Sequence, residues 1–324
     1  LLKGKTISIG ETYIHFNSEL IKILKKLSPD IVIASGSYLC PGTWKIADLK
    51  NKLKYRALFW SESHLGESRD YGGIRIHIRE MLRKSFYTKF DGFLCPGKLA
   101  FEFVDTYVKT DKIKIYVPNL VDESIFKKNS EEIDLLCYNL HKKDKIILFI
   151  PARLSKVKGL GPFIELLSKT ENKSKICLVV AGDGKLLDEL KNQANCLGVE
   201  AYFIGSKSQN EVAKLYKSCD IFALPSLSDP NPLTCIEALW SKKPLLVSNH
   251  VGNYPEVINQ GENGYMFSYD SPLEAISIID NITSKDSQWL KEAGEKSYNI
   301  ALELYDSYKA VQRIRKELNK CKEI

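Results

Sequence analysis

Two cations in a glycine-rich turn and two carboxylates at the mouth of an apolar helix are the side chains of this sequence with the type and spacing to do chemistry. In PARLSKVKGLGPF (151–163), Arg153 and Lys158 flank a turn in which Gly159 and Gly161 allow close backbone approach. Pro162 suits the first turn of a following helix. A helix N-terminus already favours an anion. A guanidinium grips phosphate with two donors and an ammonium acts as a compact charge, so the loop has the parts of a diphosphate seat. The alternative is an ordinary β–α loop with solvent-facing cations.

The second constellation is SLSDPNPLTCIEAL (226–239). Asp229, Pro230, Asn231 and Pro232 are turn chemistry, with Asn231 expected as the helix cap and Pro232 in the first turn. Leu233, Ile236 and Trp240 then share a helical face, and Glu237 stands beside it. A carboxylate there is costly unless satisfied. Either a lysine or solvent takes it, or it accepts hydrogen bonds from ligand hydroxyls such as those of a ribose. A third loop, VVAGDGKLL (179–187), has the form strand, GxG, helix, but Leu187 stands where a dinucleotide fingerprint needs its third glycine. Its glycines are expected to make a tight turn.

Elements that could position these loops alternate along the chain. Strands are expected at 6–10, 30–35, 56–60, 92–96, 114–118, 145–151, 176–182, 201–205, 221–226 and 244–248, with helical patterns between them. Strand, helix, strand over two long tracts predicts parallel sheets covered on both faces, with ligands beyond the carboxyl ends of the strands. The rhythm breaks between about 120 and 144, and 287–321 reads as wholly helical. The first sheet opens on TISIG and looks short. A further β–α–β segment ahead of Leu1 is expected.

At 324 residues, 44% hydrophobic and 27% charged, the chain is globular and long enough that two domains are the default. No apolar run is long enough to span a bilayer. Eight cysteines lie scattered without a CxxC pair, which points to reduced, buried thiols in a cytosolic protein and to no metal site. The net charge of +7 suits nucleic acid, an anionic membrane surface or an anionic small ligand, or is a solvated lysine-rich surface. No nucleic-acid signature accompanies it, so no nucleic acid partner is expected. The run IRIHIREMLRKSFYTKF (74–90) is basic and amphipathic, either a surface able to rest on anionic lipid or a solvated helix edge.

These motifs carry a family likeness. The second half closely resembles retaining glycosyltransferases of the GT-B fold, family 4, also called glycosyl transferases group 1. The fingerprint of an acidic residue, seven others and Glu, after a Pro and a Ser, appears here as Pro225, Ser226, Asp229, Glu237 and Ala238. The family's RLxxxKG loop appears as Arg153, Leu154, Lys158 and Gly159. FIG at 203–205, LYxxCD at 215–220, VGNYPEVI at 251–258, NGYMF at 263–267 and VPNLVDESIF at 117–126 also match. WSESHLGESR at 60–69 resembles a bacterial, polysaccharide-building subgroup. Two departures stand out. Asp229 replaces the usual Glu, and Pro230 and Pro232 replace glycines, removing two backbone N–H donors from the sugar site. The side chain of Asn231 is expected to stand in.

The resemblance implies an α/β GT-B fold: an acceptor-side domain over 1–127, a nucleotide-sugar domain over 128–290, and a tail over 291–324 packing back on the first. Parallel sheets would face a central cleft. It implies transfer of a sugar from a nucleoside diphosphate sugar, UDP by family frequency, to a saccharide or lipid-linked acceptor with retention, needing no metal or cofactor. Arg153 and Lys158 would hold the diphosphate and Glu237 the ribose. Asp229, Asn231, Pro232 and Leu233 would line the sugar site, and Gly205, Ser206 and Lys207 would meet the base. On the acceptor side, Glu62 is favoured over His64 to face the sugar, and Arg69 lies nearby. The protein would work in the cytoplasm, against the inner face of the membrane. An epimerase or hydrolase of the same fold, or a degenerate sugar-nucleotide-binding scaffold, are the competing readings.

Overall fold

The computed structural model describes residues 4–9, 12–64, 74–108, 111–127 and 145–323. The chain divides into two units, Leu1–Pro118 with Ala310–Ile324, and Asn119–Lys309.

The first unit runs β1 (Gly4–Ile9), β2 (Thr12–Asn17), α1 (Leu20–Leu27), β3 (Ile31–Ser35), α2 (Pro41–Leu53), β4 (Arg56–Trp60), α3 (Ile74–Thr88), β5 (Gly92–Cys95), α4 (Lys98–Asp105) and β6 (Ile113–Tyr116). Strands β3, β4, β5 and β6 form a parallel sheet in that order. TISIG does not open this sheet. Its residues 6–9 lie in β1, which pairs antiparallel with β2, a strand the sequence pattern had not shown. Only two residues separate β1 from β2, and parallel pairing needs a crossover of a dozen or more. An aromatic cluster of Phe59, Phe86, Tyr87, Phe90 and Phe93 fills the space between sheet and helices.

The second unit runs α5 (Glu123–Lys127), β7 (Ile146–Pro151), α6 (Leu160–Ser168), β8 (Ile176–Ala181), α7 (Leu187–Leu197), β9 (Ala201–Phe203), α8 (Gln209–Ser218), β10 (Ile221–Leu224), α9 (Leu233–Trp240), β11 (Leu245–Ser248), α10 (Tyr254–Val257), β12 (Gly264–Phe267), α11 (Pro272–Thr283) and α12 (Ser287–Ile300). A π-helical turn (Ala301–Tyr305) and α13 (Ser307–Glu323) complete the chain. The six strands are parallel in the order β12-β11-β10-β7-β8-β9. Their residues alternate between two cores. Phe149 and Phe222 face α8 and α9, while Leu148, Ile150 and Ala223 face α6, α7 and α11. Both faces are covered, which is why β8, β10 and β11 are buried along their whole length. Strand β12 was not expected as a strand, because the sequence marks GYMF only as part of the family likeness.

The unit boundaries differ from the expected 127/128 and 290/291 divisions. Phe126, 1% exposed, sits in the core of the second unit with Tyr216 and Trp240, and Lys127 lies over the Trp240 ring at 4.1 Å. Helix α12 and the π-helical turn also stay there, with Ala293, Ala301 and Tyr305 buried. From Ala310 onward, α13 belongs to the first unit, where Ile314, Leu318 and Cys321 pack against Leu58, Leu94, Ile115 and Val117. Of the seven described cysteines, six are buried and Cys196 is exposed.

Candidate functional site

In the second unit the chain steps from β7 through β8 to β9 on one side, then returns to β10 beside β7 and steps outward to β11 and β12. Strand order therefore reverses between β7 and β10. Connections leaving neighbouring strands in opposite directions open a crevice at the carboxyl ends. The loop after β7 holds Arg153 and Lys158, and the loop after β10 holds Asp229.

The two loops are locked together. Val157 O accepts hydrogen bonds from Leu227 N at 2.8 Å and Ser228 N at 3.3 Å. Gly159, with φ 66°, closes the short helical turn Lys156–Lys158. A Cβ on Gly159 would stand 2.0 Å from Pro225 O, so only glycine fits. The GxG loop after β8 is a brace as well. Leu154 N donates to Asp183 O at 2.9 Å, and a Cβ on Gly182 or Gly184 would strike the carbonyl of Ala152 or Leu154. These glycines seat the Arg153 loop, a closer role than the tight turn expected.

Within this frame Lys158 Nζ lies 2.5 Å from Asp229 Oδ2. Diphosphate and sugar roles assigned to separate residues thus meet in one ion pair, its side chains only 23% and 12% exposed. Ser226 Oγ lies 3.4 Å from the same carboxylate oxygen. The loop after β11 steadies the Asp229 turn: Asp229 N donates to His250 O, Gly252 N donates to Asp229 O, and Asn253 Nδ2 donates to Pro232 O at 3.1 Å. Pro230 and Pro232 have no N–H, so these bonds carry the turn. Arg153 is exposed at the same sheet edge.

The expected cap of α9 is corrected. Pro232, at ψ 127°, is its cap, and Asn231 makes no capping bond. The residue before a proline avoids the helical region, so Asn231 stays extended or in a turn. Its Nδ2 is buried without a hydrogen-bond partner among the described residues. Ile236 and Trp240 are buried, but Leu233 is 44% exposed and does not join their face. Val157 and Leu227 are also exposed, giving the cationic loops an apolar rim.

Glu237 projects from the second turn of α9. The Tyr216 hydroxyl lies 2.9 Å from Thr234 O and 3.3 Å from Glu237 Oε2. Burial pushes the Glu237 carboxyl from its ordinary 4.5 up to about 7, partly opposed by Tyr216. Between the two acidic positions sits Cys235, fully buried. Burial raises its thiol pKa, Asp229 and Glu237 raise it further, and Lys158 opposes them.

Gly205, Ser206 and Lys207 follow β9 at the same sheet edge, two strands from β7 and so about 10 Å away. Gly205 has φ 74° and open space where a Cβ would lie. Ser208 and Glu211 form a capping box that starts α8 directly after them. In the first unit, Glu62 and His64 follow the carboxyl end of β4. Glu62 is exposed and accepts from Trp60 Nε1 at 3.2 Å, whereas His64 is 3% exposed. Arg69 lies outside the described residues. Among the described residues no group of three or more His, Cys, Asp or Glu is placed to hold a metal, and no helix is long and apolar enough to cross a membrane.

A model of the glycosyl transferases group 1 family matches residues 138–299, half of the chain. The chain belongs to this family. Among curated relatives it is 30% identical over 170 residues to an uncharacterized glycosyltransferase of Methanocaldococcus jannaschii, covering 51% of this chain and 41% of that one. It is 29% identical over 181 residues to the alpha-monoglucosyldiacylglycerol synthase of Streptococcus pneumoniae, covering 53% and 41%. The chain thus spans well under half the length of these relatives. Among solved structures, Anabaena HepE in complex with UDP superposes with a TM-score of 0.75 at 17% identity, over 94% of this chain and 82% of that one. The sucrose-phosphate synthase of Thermosynechococcus elongatus gives 0.73 at 16%, over 93% and 76%. With its two parallel-sheet α/β units, this group 1 chain has the GT-B fold.

Two site residues of this family member escaped the sequence. Tyr216 was visible only as part of the LYxxCD likeness, with nothing to mark its hydroxyl as the neighbour of Glu237. Tyr269, whose hydroxyl bridges the two cationic-site loops, had no signal at all, since it lies 110 residues from Gly159.

Proposed function

We propose that the chain is a metal-independent, retaining glycosyltransferase, moving a sugar from a nucleoside diphosphate sugar to a saccharide or lipid-linked acceptor. The observation that carries this is the Lys158 and Asp229 pair at the point of strand reversal, with Glu237 one helical stretch away. Arg153 and Lys158 would take the charge that grows on the departing diphosphate. Asp229 and the unpartnered amide of Asn231 would orient sugar hydroxyls. Ionised Glu237 would accept from the ribose, and Gly205, Ser206 and Lys207 would meet the base with backbone groups. For retention, the acceptor hydroxyl attacks the anomeric carbon from the side the diphosphate leaves. The carbon–oxygen bond to phosphate breaks, and the hydroxyl proton passes to the departing phosphate oxygen. No side-chain nucleophile is needed. On the acceptor side, Glu62, before His64, would face the sugar.

Names among the similar proteins support this reading. HepE was solved with UDP and with UDP-glucose, and relatives include a Campylobacter jejuni N-acetylgalactosaminyltransferase with an undecaprenol-linked acceptor. A panel of UDP-, GDP- and ADP-sugars tests it. A donor at a hundred times its dissociation constant adds about 2.7 kcal/mol of apparent stability. A panel in which nothing raises the melting temperature and nothing releases nucleoside diphosphate ends the proposal. Sugar found free in solution even when acceptors are supplied would favour a hydrolase.

For the acceptor we propose contact with an anionic membrane, at its cytoplasmic face. Helix α3 packs inward with Phe86 and Tyr87, yet it turns Ile78 (51%), Met81 (66%) and Leu82 (38%) outward. Its sequence carries Arg75, Arg79, Arg83 and Lys84 against Glu80 alone. An outward apolar stripe on a cationic helix is the composition of an interfacial helix. Co-sedimentation with phosphatidylglycerol vesicles at low salt, reduced in Met81→Ser, is expected. No binding at low salt removes the membrane from the account.

A further inference from the structure

The Lys158 loop and the Asp229 turn come from strands that are neighbours in space and far apart in sequence, and besides the direct bonds between them a residue outside both loops touches each. The residue in place to do so is Tyr269, just beyond β12. Its hydroxyl lies 2.7 Å from Pro225 O and 3.2 Å from Gly159 O. Its ring stands edge-on to Phe267 at 5.3 Å, and Phe267 stacks on Phe163 of α6 at 5.8 Å. The hydroxyl is therefore delivered from a rigid aromatic stack. Lys158 lies between Val157, bonded to Leu227 and Ser228, and Gly159, which touches both Pro225 and Tyr269. Its backbone is tied on both sides to the segment that ends in Asp229.

We propose that Tyr269 is a positioning residue: its hydroxyl fixes the spacing of the two loops, and so the place of the Lys158 ammonium at the departing diphosphate. The proposal rests on the transferase reading above. Tyr269 supplies no proton to the reaction. Burial raises the pKa of its hydroxyl, which remains a donor throughout the working range. Its effect comes through geometry, and displacing a charge by about 1 Å in such a site costs up to about a hundredfold in rate.

The test is Tyr269→Phe in the full chain, which removes one oxygen and keeps the ring stack. UDP release from UDP-glucose is expected to fall about tenfold, with the melting temperature within a few degrees of wild type. In a Lys158→Ala background the same substitution is expected to cost less than about twofold, because the group it positions is gone. In a Glu237→Gln background the full tenfold loss is expected again. Without any ligand, amide exchange at Leu227 and Ser228 is expected to quicken in Tyr269→Phe, while exchange in β8 stays unchanged. Unchanged release, an equal loss in the Lys158→Ala background, or unaltered exchange at these amides each overturns the positioning role. A wild-type chain that neither binds UDP nor releases it from any donor overturns the transferase reading instead, and the exchange result still reports whether Tyr269 holds the seam.

Discussion

The two parallel sheets differ in the feature that makes a crevice. In the first unit, β3 to β6 follow one another in sequence order, so no pair of connections diverges at their carboxyl ends among the described strands. In the second unit the order reverses between β7 and β10, and Lys158, Asp229 and Arg153 all leave from those two strands. The surfaces differ too. Exposed apolar side chains of the first unit, such as Phe16, Ile33 and Met81, are spread over strand and helix surfaces. In the second unit, Val157, Leu227 and Leu233 border the charged loops. Similar alternation of strand and helix thus yields a braced polar site where the strand order of the second sheet reverses. Strand order, more than residue content, separates the two sheets.

The strongest way to break this contrast is Lys158→Ala. Loss of the cation at the reversal point is expected to lower transfer by about a hundredfold or more, on the order of 3 kcal/mol, measured as nucleoside diphosphate release. Full activity in that variant would move the chemistry away from the second sheet.

Next in size is the pH response of Glu237. Its carboxyl titrates near 7 when folded and near 4.5 when unfolded, so the folded state holds the extra proton between those values. The contribution of this carboxyl to stability is therefore fully present below about 4.5, falls as pH rises toward 7, and is gone above, a change on the order of 3 kcal/mol at most. Glu237→Gln is expected to flatten that slope in urea melts. Nucleotide affinity should run the other way, rising as the carboxylate ionises to accept ribose hydroxyls, and the rise should vanish in the same variant.

Gly159→Ala probes the brace. A methyl group 2.0 Å from Pro225 O, on a residue at positive φ, is expected to cost about 2 kcal/mol of stability. Gly205→Ala, also at positive φ but with open space around it, is expected to cost less, about 1 kcal/mol. Equal losses would show that backbone strain alone, and not the contact between loops, sets the cost.

The smallest expected effect lies in the first unit. Glu62→Ala should leave melting temperature and UDP affinity unchanged, because the side chain is exposed on the first unit. Transfer to acceptor should still fall. A loss of UDP affinity would blur the division of labour between the two sheets.

Much of this was legible in the chain. The apolar runs of β7, β8, β10 and β11 announced buried parallel strands because both of their faces are covered. Arg153, Lys158, Asp229 and Glu237 stood out because charge beside glycine turns or on an apolar helix needs a reason. The β1 and β2 hairpin was not legible, since six-residue strands of either pairing look alike until partners are known. Nor was the cap of α9, where Pro232 took the place expected of Asn231.

Residue types and local spacing, then, determined on their own which loops are cationic, which helix carries a misplaced carboxylate, and that strands separated by helices pair in parallel, because those properties follow from neighbours in the chain and from the order of elements along it. Tertiary structure alone decided that Lys158 meets Asp229, that Tyr216 stands beside Glu237, and that Tyr269 reaches Gly159 and Pro225. Those contacts join segments tens of residues apart, and their distances are set by strand order and the packing of the sheet, which no local pattern records.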